Sequence, residues 1–294
     1  MNTPNMRKTV NHTFFWIFVY NIAGFAFVTA NVPNGVESIL GVTFGNLILL
    51  IPEFMKKYRV KPVFTTGKKM TGKSFLFCFC LLCIAQSIDM VLQLLWEHLG
   101  ITGTQIDINI AASGPWFVLY GALIGPIAEE LVYRFFAIEN MRKHSTGLAI
   151  IFSAIAFGAM HMNLTQSIFA LLVGLILAYI YLEYGILWSV IFHIFNNFVL
   201  ATLPIMIFGE TEIVDKTLCG IFIVAGIIGL YLLYIKRNEV STWIKAQFAT
   251  TEKGSLVKCL TSVWFWLFML YCISFIVMFI THPEILNQAN QQLG

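Results

Sequence analysis

Charge is the scarcest resource of this chain. Only 11% of its residues are Asp, Glu, Lys or Arg, while 58% are apolar; a soluble domain carries about 25% charged residues. A chain this poor in charge, with 27 Phe and 7 Trp, has too little polar surface to cover a water-soluble fold. Other absences narrow the class. No segment combines basic residues with interleaved aromatics, so nucleic acid is not an expected partner. No polar stretch is long enough for a soluble domain: 55–73 and 236–261 read as loops without a core. No internal repeat is evident, which argues against the repeat-built transporters. No HExxH string is present. The six cysteines (78, 80, 83, 219, 259 and 272) lack metal-ligand spacing and read as small buried thiols, although Cys78, Cys80 and Cys83 follow Lys73 closely enough to admit lipidation. No small-residue cleavage pattern closes the first apolar run, so it reads as a retained span. The N-x-T triplets at Asn11 and Asn163 read as chance matches.

What is present is a series of apolar runs, each near the roughly 20 residues that cross a bilayer core, with a mean hydropathy of +0.79. The pattern predicts an all-α, polytopic transmembrane helix bundle of about 8–9 spans. Nine helices are expected, at 13–32, 35–54, 74–97, 115–139, 146–162, 164–183, 186–208, 217–235 and 262–281. Lys and Arg gather before the first, after the second (Lys56 to Lys73), after the fourth (Arg142, Lys143) and after the eighth (Lys236 to Lys258), whereas 98–114 and 282–294 contain none. Positive residues collect in cytoplasmic loops. With nine spans all basic loops fall on one side, which predicts a cytoplasmic N-terminus. The expected location is a cell membrane, read as a bacterial inner membrane, and the lipid bilayer is an obligate partner. The whole of 1–294 reads as one integral membrane domain.

Against that background a few residues stand out, because a charge in a membrane helix costs a few kcal/mol and needs a partner or a purpose. The fourth run carries Glu129, Glu130 and Arg134. Glu130 and Arg134, four apart, share a helix face and can pair; Glu129 points about 100° away and is left over. Pro126 should kink this helix, and Gly121 and Gly125 form a small-xxx-small pair that should let another helix approach. Phe157 and His161 share a face of the fifth helix, and His193 and Asn197 a face of the seventh. Asp89, with Gln86 and Gln93 in the third, reads as structurally satisfied. Glu37 and Glu53 are expected near the two ends of the second.

These groups have the makings of a hydrolytic site. Glu129 can take a proton from water, and His161 can help hold that water. His193 and Asn197 can donate to a developing oxyanion, while Glu130 and Arg134 hold the helix. A Ser or Cys nucleophile is not required. His161 must lie at the depth of Glu129 for this to work, which predicts that the fifth helix starts obliquely at the surface or ends within the membrane.

Glu129-Glu130-x-x-x-Arg134, Phe157-x-x-x-His161 and His193-x-x-x-Asn197, in that order and in apolar spans, resemble the three motifs of the CAAX-protease and bacteriocin-processing (CPBP, or Abi) family. The resemblance covers about 129–197, inside a family-like core at 115–208; 1–114 and 209–294 supply further spans and loops. It implies an intramembrane glutamic endopeptidase acting on membrane-associated, lipidated or precursor peptides. Glu129 and His161 would activate water, His193 and Asn197 would form the oxyanion site, Arg134 would support Glu130, and no cofactor is expected. The family also includes bacteriocin-immunity and regulatory proteins, so a non-enzymatic role is the main alternative. Two others use the same residues: zinc held by Glu129, His161 and His193, and a transporter with a proton relay through Glu129 and Asp89. Oligomeric state is not encoded in any of these features.

Overall fold

The structure, a computed structural model, describes residues 5–25, 35–57, 67–101, 114–209 and 211–285, with the backbone alone at 25 and 50–57. The described residues fold into helices without strands. These are α1 (Met6–Phe25), α2 (Val36–Lys57), α3 (Gly72–His98), α4 (Pro115–Met141), α5 (Thr146–Ala159), α6 (Leu164–Tyr184), α7 (Ile186–Phe208), α8 (Glu212–Ile235), α9 (Arg237–Phe248), α10 (Ser255–Leu260) and α11 (Val263–Thr281).

Each of the nine expected helices has a counterpart, most within a few residues. Six described helices (α3, α4, α6, α7, α8 and α11) are long and apolar enough to cross a membrane. The three others account for the difference from nine. Helix α1 starts at Met6 and so takes in Arg7 and Lys8, and the expected stretch 26–32 lies outside the described residues. The apolar part of α2 is Val36–Leu49, and α5 has only 14 residues. The stretch 236–261, expected as a loop, instead holds α9 and α10. Glu37 accepts from the Gly35 N–H at the start of α2; the Glu53 side chain lies outside the described residues.

Side-chain caps set the helix starts. Thr71, Ser145, Asn163, Thr211 and Ser262 each accept a backbone N–H from the first turn of the helix they precede, removing one of the orphan donors at a helix start. Two asparagines that read as chance triplets therefore have structural duties. Asn163 caps α6, and Asn11 Oδ1 accepts from Ser262 Oγ at 2.8 Å and from Trp264 N at 3.2 Å, tying α1 to α11.

Glycines set the closest helix approaches, but not the expected ones. A Cβ at Gly121 would stand in open space. Tight contacts occur instead at Gly41, where a Cβ would run into the Gly24 carbonyl of α1, at Gly229, where it would lie 2.7 Å from the Cys80 carbonyl oxygen of α3, and at Gly158, where it would lie 2.6 Å from the Ser167 carbonyl oxygen of α6. Between α6 and α7 the chain turns at Gly185, with φ of +90°, a region nearly closed to other residues.

The main core joins α1, α4, α5 and α11. Phe14 stands edge-on to Phe152 and Phe265, and Tyr133, Phe136 and Phe157 are sealed beneath them. A second core, with Leu82, Leu177 and Phe192, joins α3, α6 and α7. The distribution is inverted relative to a water-soluble fold. Glu130 and Arg134 are fully buried, whereas Leu94, Ile227 and Leu270 are each more than half exposed on the outer faces of α3, α8 and α11. Such an outer surface is suited to lipid, and with six candidate spans the chain is an integral membrane protein.

Candidate active site

The site lies where α4, the α5–α6 turn and α7 meet. Helix α4 is interrupted by two π-helical stretches, Tyr120–Ile124 and Leu131–Ile138, on either side of a short α-helical piece, Gly125–Glu130. Pro126 gives the first of these a physical cause. Proline lacks an N–H and its ring crowds the carbonyl of the preceding turn, and the widened turn answers both demands. Here Gly125 N–H reaches back to the Tyr120 carbonyl. The Gly121 carbonyl then has no donor in its own helix: Gly125 is engaged with Tyr120, and residue 126 is the proline. Asn197 on α7 supplies one, its Nδ2 donating to Gly121 O at 3.2 Å. The expected kink is thus met by a π turn and an interhelical hydrogen bond.

The two adjacent glutamates have different surroundings. Glu130 is fully buried. Its Oε1 lies 3.2 Å from Arg134 Nη2 and 3.0 Å from His193 Nδ1, and its Oε2 accepts from Ser189 Oγ. Arg134, equally buried, has no well-aligned hydrogen bond. It is held by the charge of Glu130 and by stacking, its Cζ 4.6 Å from the centroid of Phe157. Glu129 makes no hydrogen bond among the described residues; its Oε2 stands 3.6 Å from His193 Nε2, beyond hydrogen-bond length. Its side chain is 14% exposed.

The tautomers follow from these partners. A carbonyl oxygen only accepts, so His161 Nδ1, 2.9 Å from Phe157 O, carries its proton there, and the neutral ring keeps a lone pair on Nε2. His193 Nδ1 likewise donates to Glu130, so its Nε2 faces Glu129. Phe157 joins both rings: its centroid lies 5.2 Å from that of His161 and 5.5 Å from that of His193, both edge to face. His161 feels the charge of Glu129 without a hydrogen bond to it. It sits just past the end of α5, which at about 1.5 Å per residue is roughly 21 Å long, short of a hydrocarbon core of about 30 Å. Met162, with φ of +56°, and the Asn163 cap reverse the chain directly after it. Helix α5 therefore ends short of a full crossing, one of the two arrangements expected from the depth of Glu129.

The structure thus brings Glu129, Glu130, Arg134, Phe157, His161 and His193 into one cluster. It places Asn197 beside the cluster, bonded at both ends of its amide, since Asn197 Oδ1 also accepts from Asn196 Nδ2 at 3.0 Å and Asn196 Oδ1 from Gln86 Nε2 at 3.1 Å. Asp89 pairs with Gln93 within α3 at 2.7 Å. Sequence reasoning missed two members, Ser189 and Asn196. Ser189 was detectable: it precedes His193 by four residues, so both reach Glu130 from one face of α7. Among the described residues, no three His, Cys, Asp or Glu side chains are grouped as metal ligands would be.

Residues 111–199 match the protein-family model described as Type II CAAX prenyl endopeptidase Rce1-like. The matched segment contains every residue of the cluster and points to a CAAX-type intramembrane protease. No match was found among curated proteins or among solved structures.

Proposed function

We propose that the chain is an intramembrane endopeptidase in which Glu129 activates water against a peptide bond of a membrane-associated protein or peptide. The observation that carries this is the contrast between the two glutamates: Glu130 is saturated by Arg134, His193 and Ser189, while Glu129 is unbonded and partly open. A buried carboxylate without a fixed partner is costly to keep, and a general base is a purpose that repays the cost.

Charge balance supports the scheme. Glu130 and Arg134 cancel, and the scheme needs one further proton, carried by His193 Nε2 while Glu129 is ionised. With that proton on His193, Glu129 is the free base and His193 Nε2–H is a donor. Water then gives a proton to Glu129, oriented by a second hydrogen bond to the His161 Nε2 lone pair. The hydroxide oxygen bonds to the peptide carbon, and the carbonyl oxygen becomes an oxyanion stabilised by His193 Nε2–H. Collapse breaks the C–N bond, and the proton held by Glu129 passes to the leaving nitrogen. Asn197 joins the oxyanion site by exchanging the Gly121 carbonyl for the substrate oxygen. Arg134 and Ser189 fix Glu130, which fixes His193. The scheme needs no metal. The N-terminus and the basic loops face the cytoplasm, by the distribution of Lys and Arg.

The test needs no chosen substrate. New protein N-termini are compared in membranes from cells making the wild type, Glu129→Gln, or no copy of the chain. Termini present only with the wild type support the proposal, since losing a general base costs about 10²–10⁴-fold, and they name the substrate. If Glu129→Gln yields the same termini as the wild type, Glu129 is not the base and a binding or immunity role takes its place.

A further inference from the structure

Away from this cluster, at the basic end of the bundle, a cavity of about 540 Å³ opens between α3, α6, α8 and α9. None of the proposed site residues lines it. Its rim carries three lysines: Lys68, Lys73 at the start of α3, and Lys236 just past the end of α8. Two glutamates share the rim, and both are already engaged. Glu183 accepts from Trp243 Nε1 at 2.7 Å and pairs with Lys68 Nζ at 2.6 Å, and Glu239 pairs with Lys236 at 2.9 Å. Lys73 is exposed and has no carboxylate partner among the described residues, so the rim has one positive charge in excess.

Below the rim the walls become aromatic and then aliphatic. Tyr179 and Trp243 stand edge to face with centroids 5.2 Å apart, as in the belts found at headgroup level. Deeper, Leu81 of α3 and Leu175 of α6 line the cavity. Leu175 lies nine residues from the end of α6 at Tyr184, roughly 13 Å at 1.5 Å per residue. The cavity therefore runs from a cationic rim through an aromatic collar into the hydrocarbon level. Helix α9 forms its outer wall with Val240, Trp243 and Ile244, while Lys245 on the same helix is exposed, the arrangement of a helix lying in the interface plane.

From this succession we infer that the cavity is a binding site for an anionic glycerophospholipid of the leaflet that the basic loops face. The headgroup phosphate sits among Lys68, Lys73 and Lys236, and an acyl chain lies against Leu81 and Leu175. A free phosphate would leave the apolar depth empty, and a zwitterionic headgroup would not balance the excess positive charge. The inference rests on membrane insertion and not on the proteolytic role of Glu129.

The full-length chain, purified in mixed micelles holding equal amounts of palmitoyl-oleoyl phosphatidylglycerol and phosphatidylcholine, is examined by native mass spectrometry for retained lipid. Phosphatidylglycerol is expected to be retained in preference to phosphatidylcholine. A charge near the lipid surface is worth roughly five-fold in affinity, so Lys73→Gln with Lys236→Gln should weaken retention by on the order of 25-fold. Leu175→Trp, which fills the apolar part and leaves the lysines in place, should also empty the site. Thermal unfolding confirms that each variant is folded. Equal retention of the two lipids overturns the inference. So does a loss with only one of the two variants, because the site requires both its charge and its depth.

Discussion

Breaking one side of the Glu130–Arg134 pair should cost far more than breaking both. The two groups are fully buried and 3.2 Å apart, a separation worth about 5 kcal/mol for unit charges at an effective dielectric of 20. Arg134→Met strands a buried carboxylate that still holds His193 and Ser189, and Glu130→Gln strands a guanidinium that has no hydrogen bond of its own. Removing one partner of such a pair typically destabilises by about 3–5 kcal/mol. The double variant leaves no uncompensated charge, so its cost should fall well below the sum of the single costs, with a coupling of about 3 kcal/mol. Equilibrium unfolding in mixed micelles of the wild type, both single variants and the double variant measures this directly. A coupling under about 1 kcal/mol, the range of exposed pairs, would refute the reading of Glu130 as the charge anchor of the site.

Two further variants test the helix contacts that position the site. Asn197→Ala should destabilise by about 1–3 kcal/mol by orphaning the Gly121 carbonyl, and by measurably less in a Pro126→Ala background, where residue 126 regains an N–H; additive costs in the same unfolding assay would show that Asn197 is not answering the proline. Gly158→Ala drives a Cβ to 2.6 Å from the Ser167 carbonyl oxygen, so α5 and α6 must part beside His161 at a cost of about 1–3 kcal/mol; Gly220→Ala, which meets nothing within 4 Å, is the control, and equal unfolding midpoints for the two would contradict the close packing.

Much of this fold is written in hydropathy. Helices α3, α4, α6, α7 and α11 lie within two residues of their expected bounds, because a span is defined by one strong signal, a long apolar run, with little competition from tertiary context. The misses have other causes. Helix α9 reads as loop because its sequence is half polar, and a helix lying in an interface needs only one apolar face. Helix α7 reaches Gly121 only through the Asn197 side chain, with no backbone packed on its Cα, because small residues mark a close approach only where the partner backbone lies on their side; Gly41, Gly229 and Gly158 carry that role instead. The pairing of Glu130 with Arg134 and the isolation of Glu129 were legible from spacing and cost alone. Ser189 offered only its spacing of four residues from His193, since serine in an apolar helix costs little and draws no notice by itself.

Of the three expected i, i+4 pairs, two run into π-helical turns, and periodicity serves one of these better than the other. Residues four apart share a face only in an α-helix. Both Glu130–Arg134 and His193–Asn197 cross into π-helical segments, which begin at Leu131 and at Phe195, and each π turn takes in extra chain and so rotates the later residues around the axis. Arginine tolerates that shift, because its long side chain still reaches Glu130 at 3.2 Å. Asparagine is too short to do so. While His193 turns its Nδ1 to Glu130, Asn197 meets Gly121 across the helix interface and Asn196 beside it. The two residues of the third motif therefore face different partners in this conformation, and the exchange of partners proposed for Asn197 takes one of its donors from the Gly121 carbonyl. That carbonyl would then lack a donor, a cost that falls on substrate binding and that residue 126 sets by being proline.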